Sequence, residues 1–106
     1  MILEHAVLEI ADEQQSAFEA AFSKAVGLIA SSPGCISVRL QRGHEQPSRY
    51  LLLVEWERLE DHTVGFRQSE AYQQWRALLH HFYDPAPVVE HFSMVAVSLR
   101  GSASQC

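Results

Sequence analysis

Hydrophobic positions along the chain change rhythm from strand to helix and back, and each change marks an element. Residues 2–10 of MILEHAVLEI read as a strand, and Asp12 with Gln15 three positions later forms a capping-box-like helix start. Phe18, Phe22, Ala25 and Ile29 then recur at helical spacing, while Glu13, Gln14, Glu19 and Lys24 take the other side. Pro33 and Gly34 in SSPG end that helix. Residues 35–42 (CISVRLQR) alternate, which predicts a strand with Ile36, Val38 and Leu40 on one face and Cys35, Ser37, Arg39 and Gln41 on the other. After the loop GHEQPS, RYLLLVEWE reads as the second arm of a hairpin.

Residues 59–83 carry a helical stripe of Tyr72, Trp75, Leu78, Leu79 and Phe82, but Gly65 weakens its front half and Ser69 offers a fresh cap. DPAP stops this broken helix, and VVEHFSMVAVSLR closes the pattern as a last strand. The order β-α-β-β-α-β predicts an α+β, ferredoxin-like antiparallel sheet with two helical layers on one face. Both faces of the third and fourth strands are apolar: Tyr50, Leu52, Val54 and Trp56 lie opposite Leu51 and Leu53, and Val88, Phe92, Met94 and Ala96 lie opposite Val89, Val95, Val97 and Leu99. Helices cover one face only, so a homodimer packed sheet against sheet is expected.

At 106 residues with 47% apolar content the chain makes one domain, taken as residues 1–98, followed by a flexible tail at 99–106. Its formal charge of -5, with one lysine (Lys24) and seven dispersed arginines, gives no basic stripe, so no nucleic-acid partner is expected. The N-terminus lacks a basic n-region, and Glu4, His5 and Glu9 interrupt its apolar residues. The expectation is therefore neither a signal peptide nor a membrane span, and a cytoplasmic location. Cys35 and Cys106 make no disulfide framework and are read as reduced thiols. No phosphate loop, CxxC pair, G-x-S-x-G elbow or HExxH stretch occurs.

YLLLVEWERLEDH, FRQSEAYQQW and PAPVVEHF together resemble the antibiotic biosynthesis monooxygenase family: a strand ending in an acidic residue and Trp, a split helix with a Ser-x-x-Tyr start, and a final strand carrying His-Phe. The resemblance implies a dimeric α+β barrel with a pocket in each subunit, between the sheet and the split helix, for a small and often aromatic molecule. Several members oxygenate phenols or quinols with O2 and no metal or flavin, others degrade haem, and some isomerise. The haem-degrading branch places an Asn on the first strand, a Trp at the position of Phe66 and an iron-binding His near Arg76. None of these matches, so haem degradation is disfavoured. What the resemblance implies here is a cofactor-independent monooxygenase whose partners are O2 and a small phenol or quinol. A non-catalytic ligand-binding dimer and a cofactor-free isomerase or decarboxylase are the alternatives.

The histidines are the natural bases for such chemistry, because a phenolate gives electrons to O2 far better than a phenol. His5 and His91 interrupt apolar strands that are antiparallel neighbours; each is either a buried neutral base or a packed core histidine. His62 sits where a split helix overhangs a pocket, either as a base beside Phe66 or as a solvated first-turn residue. The candidate catalytic set is His62, His91 and Arg67, the arginine holding the anion. Candidate substrate contacts are His5, Trp56, Phe66, Tyr72 and Trp75, with helix core as the competing role for the last two. No metal site is expected. His44 reads as solvated, and of the adjacent pair His80 and His81 at least one should be exposed.

Overall fold

The computed structural model describes residues 1–97. Strand β1 (Ile2–Glu9) leads through helix α1 (Gln15–Ala30) to the hairpin β2 (Cys35–Arg42) and β3 (Arg49–Trp56). Helix α2 (Glu70–Leu79) and strand β4 (Val89–Ser93) follow. The four strands are ordered β2-β3-β1-β4, with every neighbouring pair antiparallel. This is the expected ferredoxin-like α+β topology, with an open sheet.

Strand alternation decides which side the helices cover. Ala6 and Leu8 of β1 and Tyr50, Leu52, Val54 and Trp56 of β3 are buried on the helix side. Phe18, Phe22, Ala25 and Ile29 of α1 pack on them with Trp75 and Leu79 of α2, so the stripes read from spacing are the stripes that face the core. At roughly 25 cal/mol per Å² of apolar surface, each of the large side chains so buried contributes on the order of 2 kcal/mol before the entropy of ordering is set against it.

Three expectations change. The capping box does not close on the backbone: Asp12–Gln14 forms a short 3-10 turn, and Gln15 Nε2 donates to Asp12 Oδ1 at 3.3 Å and to the Pro47 carbonyl at 3.0 Å. In β2 the register shifts between Cys35, opposite Trp56, and Ser37, opposite Glu55. One extra residue is thereby accommodated, Ile36 is left half exposed, and Cys35 takes the core-side place that plain alternation gave to Ile36. The last strand is shorter than 88–100, because Ser93 already pairs with Ile2 and β1 has no further residue to offer. Met94, Val95 and Val97 continue past it as exposed chain. The rest of that strand reading, at 98–100, and the tail at 99–106 lie outside the described residues.

Candidate functional site

Between β3 and α2 the chain makes a π-helical turn, Asp61–Phe66, and its geometry sets the site. Asp61 anchors the entry by accepting from the Arg58 backbone N–H at 3.0 Å. Gly34, at φ 86°, packs directly against the Asp61 side chain and accepts from the Glu57 N–H at 2.8 Å. The Arg67 N–H reaches back five residues to the His62 carbonyl at 3.1 Å, which widens the turn. A wider turn brings residues four apart onto one side, and His62 and Phe66 both turn inward and are buried. Both meet Trp56: the His62 ring stacks on the indole with centroids 5.3 Å apart and planes 16° from parallel, and Phe66 lies 6.1 Å away. Ser69 then restarts the helix, its hydroxyl accepting from the Tyr72 N–H at 3.1 Å.

Glu4 of β1 is the charged group at the centre. It is only 4% exposed, on the helix-facing side of the sheet with Ala6 and Leu8. Trp56 Nε1–H donates to Glu4 Oε1 at 3.0 Å, and His62 Nε2 lies 3.4 Å from the same oxygen. On its other side, His62 Nδ1 is 2.8 Å from His91 Nε2. His91 stands directly opposite Glu4 in the β1–β4 ladder, which is why strand pairing puts it on the same face. Glu4, His62 and His91 thus lie in line, with one ring nitrogen of His62 hydrogen-bonded to His91 and the other facing the carboxylate. Glu4 Oε2 is left without a hydrogen-bond partner among the described residues, and Glu4 lines a cavity of about 300 Å³.

That volume suits a molecule of one or two rings. Its apolar walls are Ala6, Leu8, Ile29, Leu52, Phe66 and Trp75, and its polar groups are Glu4, His62, Arg67, Tyr72, His80 and Tyr83. Ala86, Pro87 and Val89, on the segment entering β4, complete it. Arg67 is exposed and its guanidinium makes no ion pair or hydrogen bond among the described residues, so its charge is available to a bound anion. No group of three or more His, Cys, Asp or Glu side chains among the described residues is arranged to hold a metal ion.

Electrostatics follow from burial. Burial raises the Glu4 pKa, opposed by the Trp56 hydrogen bond and the Arg67 charge. Burial, then Arg67, then His91 lower the His62 pKa to about 3, so its imidazole is neutral at physiological pH. His91 is lowered by burial and Arg67, and His80 by burial and Arg76. Burial, Glu4 and Tyr72 raise the Tyr83 hydroxyl. The arrangement can accept a proton at a buried carboxylate, hold an anion near Arg67, and keep a neutral imidazole, His62, beside that carboxylate with His91 behind it.

Of the residues singled out from sequence, His62, Arg67, Phe66, Tyr72 and Trp75 line the cavity. Trp56 lies behind it as donor and stacking surface, and His91 sits one hydrogen bond away. His5 is elsewhere: it pairs with Glu90, points to the opposite sheet face, and meets Phe92 edge-on at 5.6 Å. Side chains alternate along a strand, and His91 is paired with Glu4, the residue before His5, so His5 and His91 fall on opposite faces. Glu4, His80 and Tyr83 were not among the sequence candidates for the cavity. Of the histidine pair, His81 is exposed and His80 half buried, and His44 is exposed.

The family model described as antibiotic biosynthesis monooxygenase matches residues 1–78. The uncharacterized protein YczJ of Bacillus subtilis (strain 168) is 50% identical over 95 residues, covering 90% of this chain and all of that protein. A crystal structure named for the same family, from Bordetella bronchiseptica, superposes with a TM-score of 0.84 at 37% identity over 90% of this chain and 97% of that one. One from Nitrosomonas europaea, with a TM-score of 0.77 at 14% identity over 91% of this chain and all of that one, shares the fold.

Proposed function

Because this chain belongs to the antibiotic biosynthesis monooxygenase family, we propose that it oxygenates a small phenol or quinol with O2, without a metal or flavin, using Glu4 as the base. One observation carries this reading: a buried carboxylate, one oxygen of which accepts from Trp56 Nε1–H and lies 3.4 Å from His62 Nε2, in the lining of a largely apolar cavity. His62, neutral, hydrogen-bonded to His91 and facing Glu4, positions Glu4 instead of meeting the substrate as base.

Glu4 Oε2 takes the hydroxyl proton, and the phenolate is held by the Arg67 charge at the cavity. The electron-rich ring reduces O2 and forms a C–O bond to it. Glu4 returns its proton to the resulting peroxide, the O–O bond breaks, and the second oxygen leaves as water with the ring hydrogen. A phenol and O2 thereby give a quinone and water. Phe66, Trp75 and Leu52 supply flat and apolar contacts that orient the ring and exclude bulk water.

A panel of phenols and quinols tested for O2 uptake, with labelled oxygen traced into product, examines this directly. The metal-chelated protein is expected to consume O2 with one label per product, and Glu4→Gln to lose about a hundredfold or more of the rate. Binding of panel members with no O2 uptake would replace the enzyme by a ligand-binding protein. The homodimer belongs to the same proposal: Leu3, Val7, Leu51 and Leu53 lie on the sheet face without helices, and Phe92 beside them is 47% exposed. A second copy of the chain packed on that face would complete a barrel.

A further inference from the structure

We infer that His62 and His91 form a proton path linking Glu4 to solvent at the edge of the sheet, separate from the opening through which substrate enters. The inference rests on the reading of Glu4 as base. It is carried by geometry: Glu4 Oε1 to His62 Nε2 is 3.4 Å, and His62 Nδ1 to His91 Nε2 is 2.8 Å. His62 is clamped in line by its stack on Trp56. β4 is the outer strand of the described sheet, and His91 is not part of the cavity wall. The second nitrogen of His91, Nδ1, has no hydrogen-bond partner among the described residues.

Burial favours a Glu4 that already carries a proton, and such a group takes a substrate proton at Oε2 only if the proton on Oε1 has a way out. Taken outward, the substrate proton enters the carboxyl group at Oε2 as the proton on Oε1 passes to His62 Nε2. The proton on His62 Nδ1 passes to His91 Nε2, and that on His91 Nδ1 passes to water. One proton enters at the cavity and one leaves at the sheet edge, and no electrons move. Both imidazoles end neutral with their protons on the opposite nitrogens. The reverse sequence, water to His91 to His62 to Glu4 Oε1, delivers the proton on Oε2 to the peroxide and restores the starting tautomers. Arg67 is the charged group nearest this chain in effect, acting on Glu4, His62 and His91 alike, and it disfavours a resting imidazolium at either histidine. His91 is therefore a positioning and relay residue, not a group that touches substrate.

The test uses 4-nitrophenol as probe, mixed rapidly with the full-length protein below the pH at which the probe ionises. Phenolate absorbance and a pH indicator in the bulk are followed together. The unmodified protein is expected to release one proton per phenolate formed, with matching rates. His91→Asn keeps a hydrogen-bonding group beside His62 but cannot relay, and is expected to bind the probe with unchanged affinity while slowing proton release at least tenfold. His91→Ala should show the same defect and recover when imidazole is added. Proton release that keeps pace with phenolate in both variants overturns the path and leaves Glu4 as base. Absence of any phenolate in the unmodified protein removes the base and the path together. A loss in both variants that imidazole does not restore, with probe affinity falling in parallel, assigns His91 a packing role alone.

Discussion

A buried carboxylate held by an indole N–H beside an imidazole pulls stability and chemistry in opposite directions. The Glu4 pKa is raised from 4.5, so the folded protein holds this proton more tightly than the unfolded chain, and its ionisation costs stability as pH rises past 4.5. His62 has the opposite sign. In the unfolded chain it protonates near 6.5 and in the folded protein only near about 3. Its contribution is whole above 6.5 and is lost as pH falls toward 3. Urea unfolding followed against pH should therefore show an acid limb that flattens in His62→Asn, while Glu4→Gln should be as stable as the parent at neutral pH or more so. An unaltered acid limb in His62→Asn would contradict the burial described for that ring. Glu4 was legible in the sequence as a charge at an even position among Ile2, Ala6, Leu8 and Ile10, the face that alternation turns inward. The His62–His91 contact was not legible, because it joins residues 29 apart through strand pairing and a turn of unusual width.

Elements carry the next layer of constraint, and Gly34 shows how a loop governs a helix. An L residue at its φ of 86° is strained, and a Cβ there would overlap the Asp61 carboxylate that anchors the π turn. Gly34→Ala is expected to cost about 1–3 kcal/mol or more in chemical denaturation and to weaken probe binding by displacing His62. Gly27→Ala, in α1 with nothing near its added carbon, should instead stabilise by about 0.5–1 kcal/mol. Equal effects at the two glycines would show that the Gly34–Asp61 packing is not what holds the turn. Ser69→Ala removes the acceptor of the Tyr72 N–H and should cost about 0.5–2 kcal/mol by the same measurement. Gly65 and Ser69 announced the break between two helical pieces, but not its π form, since helical spacing alone does not distinguish a wide turn from an interrupted one. The β2 register departs from plain alternation for a related reason: a bulge inserts a residue without altering composition, so CISVRLQR looks regular while its first two side chains trade places.

For the molecule as a whole, the decisive property is the sheet face without helices. Sedimentation at micromolar concentration is expected to give a dimer, and Leu53→Asp, which sets a carboxylate on that face without touching the cavity, is expected to give monomer with a lower Tm. A purely monomeric parent protein would leave the apolar face unexplained and remove the barrel. Topology was readable from the order of rhythms, because each strand and helix declares its period locally. The β1–β4 pairing has a further consequence for how the chain is made. Residues 2–6 find their partners at 89–93, so one edge of β1 stays unpaired on the ribosome until nearly the whole described chain has emerged. Glu4 is translated early and then waits, its opposite number His91 still unsynthesised. A ribosome that stalls before residue 89 would release a chain with β1, the hairpin and both helices but a bare strand edge, prone to aggregate and unable to assemble the carboxylate–imidazole chain. The working site would thus arrive only with strand β4.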